Sequence, residues 1–485
     1  MDFIRTIRSS GQQLWFQYLC LMVVATVVLF MGGRSRELTD IFVYYSDISK
    51  AILTSGDWLT LHAGDKTYLN KPPLVFWLSA LAMKIVGFTS MAPTLPMRIS
   101  GVGCVLLIAW LGKRFFGPTT GWLAGIVCLS TDMFWHNSMG FRMESTLLFG
   151  VLLSLAGYYH RQQHWRPIIF SAGLLIAVMA KGGAGLLPII LIISDKFFLH
   201  QHHGANARIP FLAWAAGALV FAPALAWLLY QSIGQEFFWQ IQLGQVMAHG
   251  ESVRSAPWGQ RLLSIYLVPL AKKYWPWLPF LLIGLGRGFL SSRSMDKYER
   301  GKYRLLAFWF FIVLVFSSLK PMGFTRYLFT ALPAMSILVA HEVSRALRWR
   351  PLADWIPASF AGLAIVVTLT LGLFSRHDNT DDKIKSMKEI VTQQFPSPTA
   401  SVPLLTTRQQ FQSDEPLYYG AWCRYYLERQ PDFLFFENLG PGHMGMVVLV
   451  KRALFRELSQ RGMKLSPLTA SDVYIVAKID AALTQ

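Results

Sequence analysis

The sequence predicts a helical, polytopic membrane protein with a small soluble α/β domain at its C-terminal end. Three observations point there. Hydrophobic residues make up 53% of the 485-residue chain and charged residues only 15%, with a mean hydropathy of +0.38. Apolar runs near membrane-spanning length, roughly 17–25 residues, recur about eleven times. The formal net charge of +18 is also unevenly placed, because residues 378–485 hold 12 Lys/Arg against 12 Asp/Glu. The excess therefore lies in residues 1–377, mostly in short loops between apolar runs. That is the positive-inside pattern of membrane insertion, and it argues against a nucleic-acid surface.

The first apolar run, Leu14 to Met31, follows Arg5 and Arg8. It is long for a signal-peptide core and reads as an uncleaved transmembrane helix that starts in the cytoplasm. Further runs lie at 97–112, 119–135, 145–159, 167–181, 183–199, 210–230, 276–292, 304–319, 325–341 and 355–374. The run at 74–90 is short, opens on Pro72-Pro73 and carries Lys84. If it is left out of the count, the basic loops all fall on one side. These hold Lys113 and Arg114, Arg161 and Arg166, Lys196 and Arg208, the stretch from Arg287 to Arg304, and Arg345, Arg348 and Arg350. With Arg5 and Arg8, that side is cytoplasmic. Residues 74–90 then form a juxtamembrane helix against the outer face.

Two domains are expected. Residues 1–376 form the membrane domain, with 33–96 as its first periplasmic loop, and residues 377–485 form a periplasmic soluble domain. In the latter, Asp381 to Gln394 is helix-like, and Val402 to Leu405, Met446 to Val450 and Val473 to Ala477 are strand-like, with a helix between the last two. It shows no glycine-rich phosphate loop, metal-spaced cluster or nucleophile elbow, so a lid or acceptor-docking role is expected. Cys20, Cys104 and Cys128 fall in apolar runs and Cys423 stands alone, which gives no disulfide framework.

The stretch from Arg34 to Trp77 concentrates charge beside a membrane face. Asp40, with Tyr44 one turn on, could act as a general base toward an attacking hydroxyl, or could simply cap a helix. Lys71 precedes Pro72-Pro73, which stiffen the backbone and would hold its ammonium at a set height, suited to a phosphate. A headgroup-snorkelling lysine is the plainer alternative. Arg142 and Glu144 open another run on the same side. One residue apart, they do not face each other on a helix, so a second carboxylate with a phosphate-directed arginine is one reading and a helix-start glutamate the other. Lys181-Gly-Gly, and Ser317-Ser-Leu-Lys320 leading to Arg326-Tyr327, mark two further outer turns where a costly boundary cation needs a partner. His249 and Arg254 lie in a long outer loop as candidate substrate contacts. His136 with His249 lacks metal-site spacing, and His200, His202 and His203 fall in a cytoplasmic loop. A divalent metal is therefore left without support.

Taken in order, these pieces resemble the GT-C polyprenyl-phosphate-sugar glycosyltransferases, most nearly the lipid A aminoarabinose transferase type, with protein O-mannosyltransferases more distant. The matching set is Asp40-x3-Tyr44, Ser55-Gly-Asp-Trp58, Tyr68-Leu-Asn-Lys-Pro-Pro-Leu74 with Trp77, Arg98, Arg142-x-Glu144, Lys181-Gly, and Ser317-x2-Lys320 leading to Arg326-Tyr-Leu-Phe-Thr-Ala-Leu-Pro333. The resemblance implies a GT-C fold with an outward-facing cavity in the bacterial inner membrane. It also implies an undecaprenyl-phosphate-linked sugar as donor, a glycolipid acceptor such as lipid A, inverting transfer and no covalently bound cofactor. By position, Asp40 matches the acidic residue proposed as catalytic, Lys71 a carrier-phosphate contact and Tyr327 a tyrosine near the carrier. The chain departs from the pattern at Ile41, Val43 and Glu144, which leaves sugar and acceptor open. Two rivals remain: a carrier that moves lipid-linked sugars without making bonds, and an assembly subunit whose tail binds partners. A carrier should show related halves and midplane charges, and the sequence shows neither.

Overall fold

The computed structural model describes residues 10–31, 40–160, 162, 164–199, 211–235, 238, 258–289, 295–319, 324–347, 380–397, 399–408, 415–439, 441–471 and 473–481. The run at 355–374, the histidines at 200–203 and the candidates His249, Arg254 and Lys320 lie outside the described residues.

The first apolar run forms α1 (Ser10–Met31). The charged stretch after it contributes α2 (Asp40–Ser55), a hairpin of β1 (His62–Ala63) and β2 (Lys66–Thr67), and α3 (Leu74–Val86). At 13 residues, α3 rises about 20 Å, short of the roughly 30 Å hydrocarbon core. Gly87, at φ +90°, ends it before residue 90. There follow α4 (Leu95–Phe116), α5 (Pro118–Leu129), α6 (Asp132–Met139), α7 (Met143–Tyr158), α8 (Trp165–Lys181) and α9 (Leu187–Phe198). After these come α10 (Phe211–Gly234), α11 (Leu278–Phe289), α12 (Lys297–Leu319) and α13 (Leu332–Leu347). The expected run at 119–135 is two helices, and α6 meets α7 at a bend of 106°. The tail supplies α14 (Thr380–Gln394), β3 (Val402–Thr406), α15 (Glu415–Trp422) and β4 (Pro431–Phe435). It ends with β5 (Val447–Lys451), α16 (Arg452–Gln460), β6 (Lys464–Ala470) and β7 (Tyr474–Ala481).

Two compact units result. One comprises Met1–Gly32, Leu69–Val75 and Pro96–Phe374; the other comprises Gly33–Tyr68, Phe76–Leu95 and Ser375–Gln485.

In the first unit, among the described residues, five helical stretches are long and apolar enough to cross a membrane, or six with α6 and α7 taken as one bent span. The chain is a multi-pass membrane protein. One stretch, Trp165–Phe198, has 34 residues, about 50 Å if straight. It is not straight. A β-carbon built on Gly185 would lie 2.4 Å from the backbone nitrogen of Val178, so the chain doubles back at the 3₁₀ turn Gly182–Leu186. Asp195, near the end of α9, accepts hydrogen bonds from Tyr158 (2.8 Å) and Tyr159 (2.6 Å) at the end of α7. Lys181, before the turn, reaches Glu144 at the start of α7 (2.8 Å). So α8 and α9 are antiparallel, and the loop charges sort by end. Arg114 lies over the Tyr159 ring, Lys302 donates to the Phe115 carbonyl, Arg287 pairs with Glu342 and Arg345 with Glu299. Glu144, Lys181 and Arg326 occupy the opposite end.

Helices α7 and α8 pack at backbone distance because small residues line the seam. A β-carbon on Gly150 would come 2.5 Å from Ala177 N, one on Gly173 2.3 Å from Ser154 N, and one on Gly157 2.4 Å from Phe170 N.

The second unit is built on a five-stranded sheet of order β4-β3-β5-β7-β6. Its β4, β3 and β5 run parallel, and β7 is antiparallel to β5 and β6. Strand β3 is buried throughout, as expected for a parallel strand covered on both faces. One face packs on Leu454 and Leu458 of α16. The other packs on α14 and α15, with Val43, Met83 and Ala92 completing that core. Helices α2 and α3 thus share a hydrophobic core with the tail.

Candidate active site

Glu144 stands in the first turn of α7, where the helix dipole favours a carboxylate. The bend that delivers it is clasped by side chains. Ser145 donates to the Asn137 carbonyl (2.8 Å), and the Ser138 and Ser145 hydroxyls lie 2.9 Å apart. Arg98 of α4, buried, donates to the carbonyls of Leu29 and Met139. Lys181 is the last residue of α8, which ends on Gly182 at φ +57°, a left-handed conformation that suits glycine.

Lys181 Nζ lies 2.8 Å from Glu144 Oε1 and 4.8 Å from the Tyr327 ring centroid. Arg326, on the 3₁₀ turn Thr325–Ala331, brings Nε to 3.5 Å from the same oxygen, and its guanidinium lies 4.2 Å from the Phe324 ring. The Glu144 side chain is 7% exposed. Two cations with aromatic walls therefore meet one buried carboxylate, a charge-assisted arrangement with a surplus of positive charge. Beside it runs the Lys-Pro-Pro segment, since a β-carbon on Gly182 would lie 4.0 Å from Pro72 Cγ. Pro72 and Pro73 are buried and Lys71 is half-buried. Arg142, also half-buried, is the extended residue just ahead of α7.

Of the residues singled out from sequence, the first unit brings Glu144, Lys181, Arg326 and Tyr327 together. Arg142 is two residues along the chain from Glu144, and Lys71 is next to Pro72, which faces Gly182. Asp40 and Tyr44 belong to the second unit. Asp40 is the first residue of α2, and its side chain lies outside the described residues. Tyr44 packs against Tyr45, Tyr68 and Tyr418 with ring centroids 6.0–6.1 Å apart. His136 is exposed on α6. Among the described residues no group of three or more His, Cys, Asp or Glu is placed to hold a metal ion. Asp57 accepts hydrogen bonds from the amides of Leu59 and Thr60, which is a turn-capping role. Sequence reading alone assigns no site role to Arg98, Phe324 or the small-residue seam. The signals are present, however, as an arginine inside an apolar run and as Gly150-x3-Ser154 facing Gly173-x3-Ala177.

The profile of the dolichyl-phosphate-mannose-protein mannosyltransferase family matches residues 70–227. An uncharacterized protein of Aquifex aeolicus is 27% identical over 305 residues, covering 61% of this chain and 58% of that one. An undecaprenyl phosphate-alpha-4-amino-4-deoxy-L-arabinose arabinosyl transferase of Erwinia tasmaniensis is 22% identical over 351 residues, covering 67% and 60%. The chain thus spans less than two thirds of the length of these relatives. The crystal structure of ArnT from Cupriavidus metallidurans bound to undecaprenyl phosphate superposes with a TM-score of 0.63 at 15% identity, covering 97% of this chain and 98% of that one. The chain has the GT-C fold. Within this GT-C fold the family match runs from the Lys-Pro-Pro segment into α10. It takes in Lys71, Arg142, Glu144 and Lys181 and stops short of Arg326 and Tyr327.

Proposed function

We propose that the protein is a glycosyltransferase of the bacterial inner membrane, moving a sugar from undecaprenyl phosphate to a hydroxyl of a cell-envelope glycolipid such as lipid A. The observation that carries this is the cationic cluster at one helix end. Glu144 is paired with Lys181 and Arg326, and in this reading Lys71 and Arg142, both half-buried, contact a further anion. A lipid-linked sugar phosphate supplies that anion and develops more negative charge as its glycosidic bond breaks. The arabinosyl transferase relatives support the donor class, and the gathering of basic loops at the far end supports a periplasm-facing site.

In the proposed reaction the acceptor oxygen forms a bond to the anomeric carbon as the bond from that carbon to the phosphate oxygen breaks, with inversion. Asp40 takes the acceptor proton. The departing electron pair goes to the phosphate, stabilised by Lys71 and Arg142, while Lys181 and Arg326 hold Glu144 in place and Tyr327 walls the carrier side. A protein hydroxyl as acceptor is the second reading, favoured by the mannosyltransferase profile.

The test is the mass of lipid A and other envelope glycans in a deletion strain carrying the wild-type gene, Asp40→Asn or Lys71→Ala. Deletion should remove one sugar increment that the wild type restores, and Lys71→Ala, at equal expression, should lose roughly 10²–10³-fold of it. No mass change on deletion, or full restoration by both variants, would reject the proposal. Translocated donor without any glycosylated product would indicate a carrier instead.

A further inference from the structure

We infer that Arg424 of the C-terminal domain is a positioning residue for Asp40, setting the register of the helix that Asp40 begins. The inference rests on the base role proposed for Asp40 and goes beyond it by giving the C-terminal domain a task in catalysis. All the groups concerned belong to the second unit.

At 16 residues, α2 is near the length at which an isolated helix is marginal in water, so its placement depends on what grips it. Positions 40, 44 and 47 fall on one face at helical spacing. Tyr44 meets the Tyr418 ring of α15 at 6.1 Å. Asp47 Oδ2 accepts hydrogen bonds from Arg424 Nε at 2.8 Å and Nη2 at 2.7 Å. One turn on, Lys50 donates to the carbonyls of Arg424 (3.2 Å) and Tyr425 (2.8 Å) and to Glu428 Oε1 (3.3 Å). Lys388 of α14 holds the other Glu428 oxygen at 2.8 Å. Asp47 and Lys50 are only 5% and 6% exposed.

The receiving segment is shaped for this grip. Cys423–Leu427 is π-wound and ends on Glu428 in the left-handed region, at φ +58°. Such a terminus leaves carbonyls that a lysine can take. The Arg424 guanidinium is confined as well. A β-carbon on Gly64 would lie 3.5 Å from its Cζ, and one on Gly420 would lie 3.1 Å from its Nη1. Buried ion pairs do more for register than for stability. If α2 slid or rotated, a carboxylate and an ammonium would both be buried without partners. Asp40, two turns upstream on the same face, moves with that register. A misplacement of about 1 Å in a reacting group can cost 10²-fold in rate.

The experiment uses the full chain in the deletion strain, with envelope product counted by mass at equal protein level. Arg424→Ala should lower product roughly 100-fold, and Arg424→Lys should lower it less. Added to Asp40→Asn, Arg424→Ala should cause no further loss, because the group it positions is already gone. An equal fold-loss in both backgrounds would mean that Arg424 acts independently of Asp40, and the inference would fall. Full activity of Asp40→Asn would instead remove the base role underneath it, a separate outcome. If Arg424→Ala does not accumulate, Arg424→Gln with Asp47→Asn keeps a neutral hydrogen-bonded pair for the same comparison. Amide hydrogen exchange of the purified protein gives the independent readout. The first turns of α2 should exchange faster in Arg424→Lys, and unchanged exchange alongside lost activity would count against the inference.

Discussion

Replacing Lys181 by methionine strands a buried carboxylate. Lys181 Nζ and Glu144 Oε1 are 2.8 Å apart, with side chains 16% and 7% exposed. At an effective dielectric of about 20, attraction at that distance is worth about 6 kcal/mol, and desolvation of the two ions offsets much of it. Deleting one partner leaves the other's desolvation cost standing, so a loss of about 3–5 kcal/mol is expected, tempered by Arg326 at 3.5 Å. Adding Glu144→Gln removes the stranded charge, and the double variant should regain most of the stability. Cys104 and Cys128 are fully buried in the same unit, so a thiol-reactive dye reports its thermal unfolding in detergent, with Cys20 and Cys423 changed to alanine. Lys181→Met should label at a clearly lower temperature than wild type, and Glu144→Gln/Lys181→Met close to it. Neither variant should transfer sugar, because both disturb the charge of the cluster. Equal instability of single and double variants would refute the coupling, as would a single variant as stable as wild type.

Two further outcomes follow from the geometry. Gly173→Val places a β-carbon 2.3 Å from Ser154 N, forcing α7 and α8 apart. A loss of about 1–3 kcal/mol is expected in the same dye assay, whereas Gly183→Val, with nothing within 4 Å, should unfold like wild type. Burial pushes the Asp47 carboxyl up to about 6 even though Arg424 beside it pulls the other way. Between about pH 4, the ordinary carboxylate range, and pH 6, the folded chain therefore keeps a proton that the unfolded chain has released. Stability of the second unit should fall as pH rises through that window, by about 3 kcal/mol at most. Labelling of Cys423, buried in that unit, should show the slope in wild type and its absence in Asp47→Asn.

Hydropathy was enough to find apolar helices of the membrane domain, because that signal is local to a few turns of chain. The Lys181-Gly-Gly turn was legible in the same way, from a cation and two glycines between apolar runs. The tail's helix–strand pattern was partly legible, but β4 and β6 were not, since half-exposed edge strands such as β6 carry no long apolar run. Tertiary structure alone decided that Glu144 takes Lys181 and Arg326 as partners, residues 37 and 182 positions away in the chain. It alone decided that α2 shares a core with the sheet of the tail. An ion pair forms where packed backbones bring opposite charges within a few ångströms, and here the glycine seam between α7 and α8 sets that approach. Periodicity in the sequence shows which face of a helix is apolar, but the identity of the surface it meets depends on the whole packed chain.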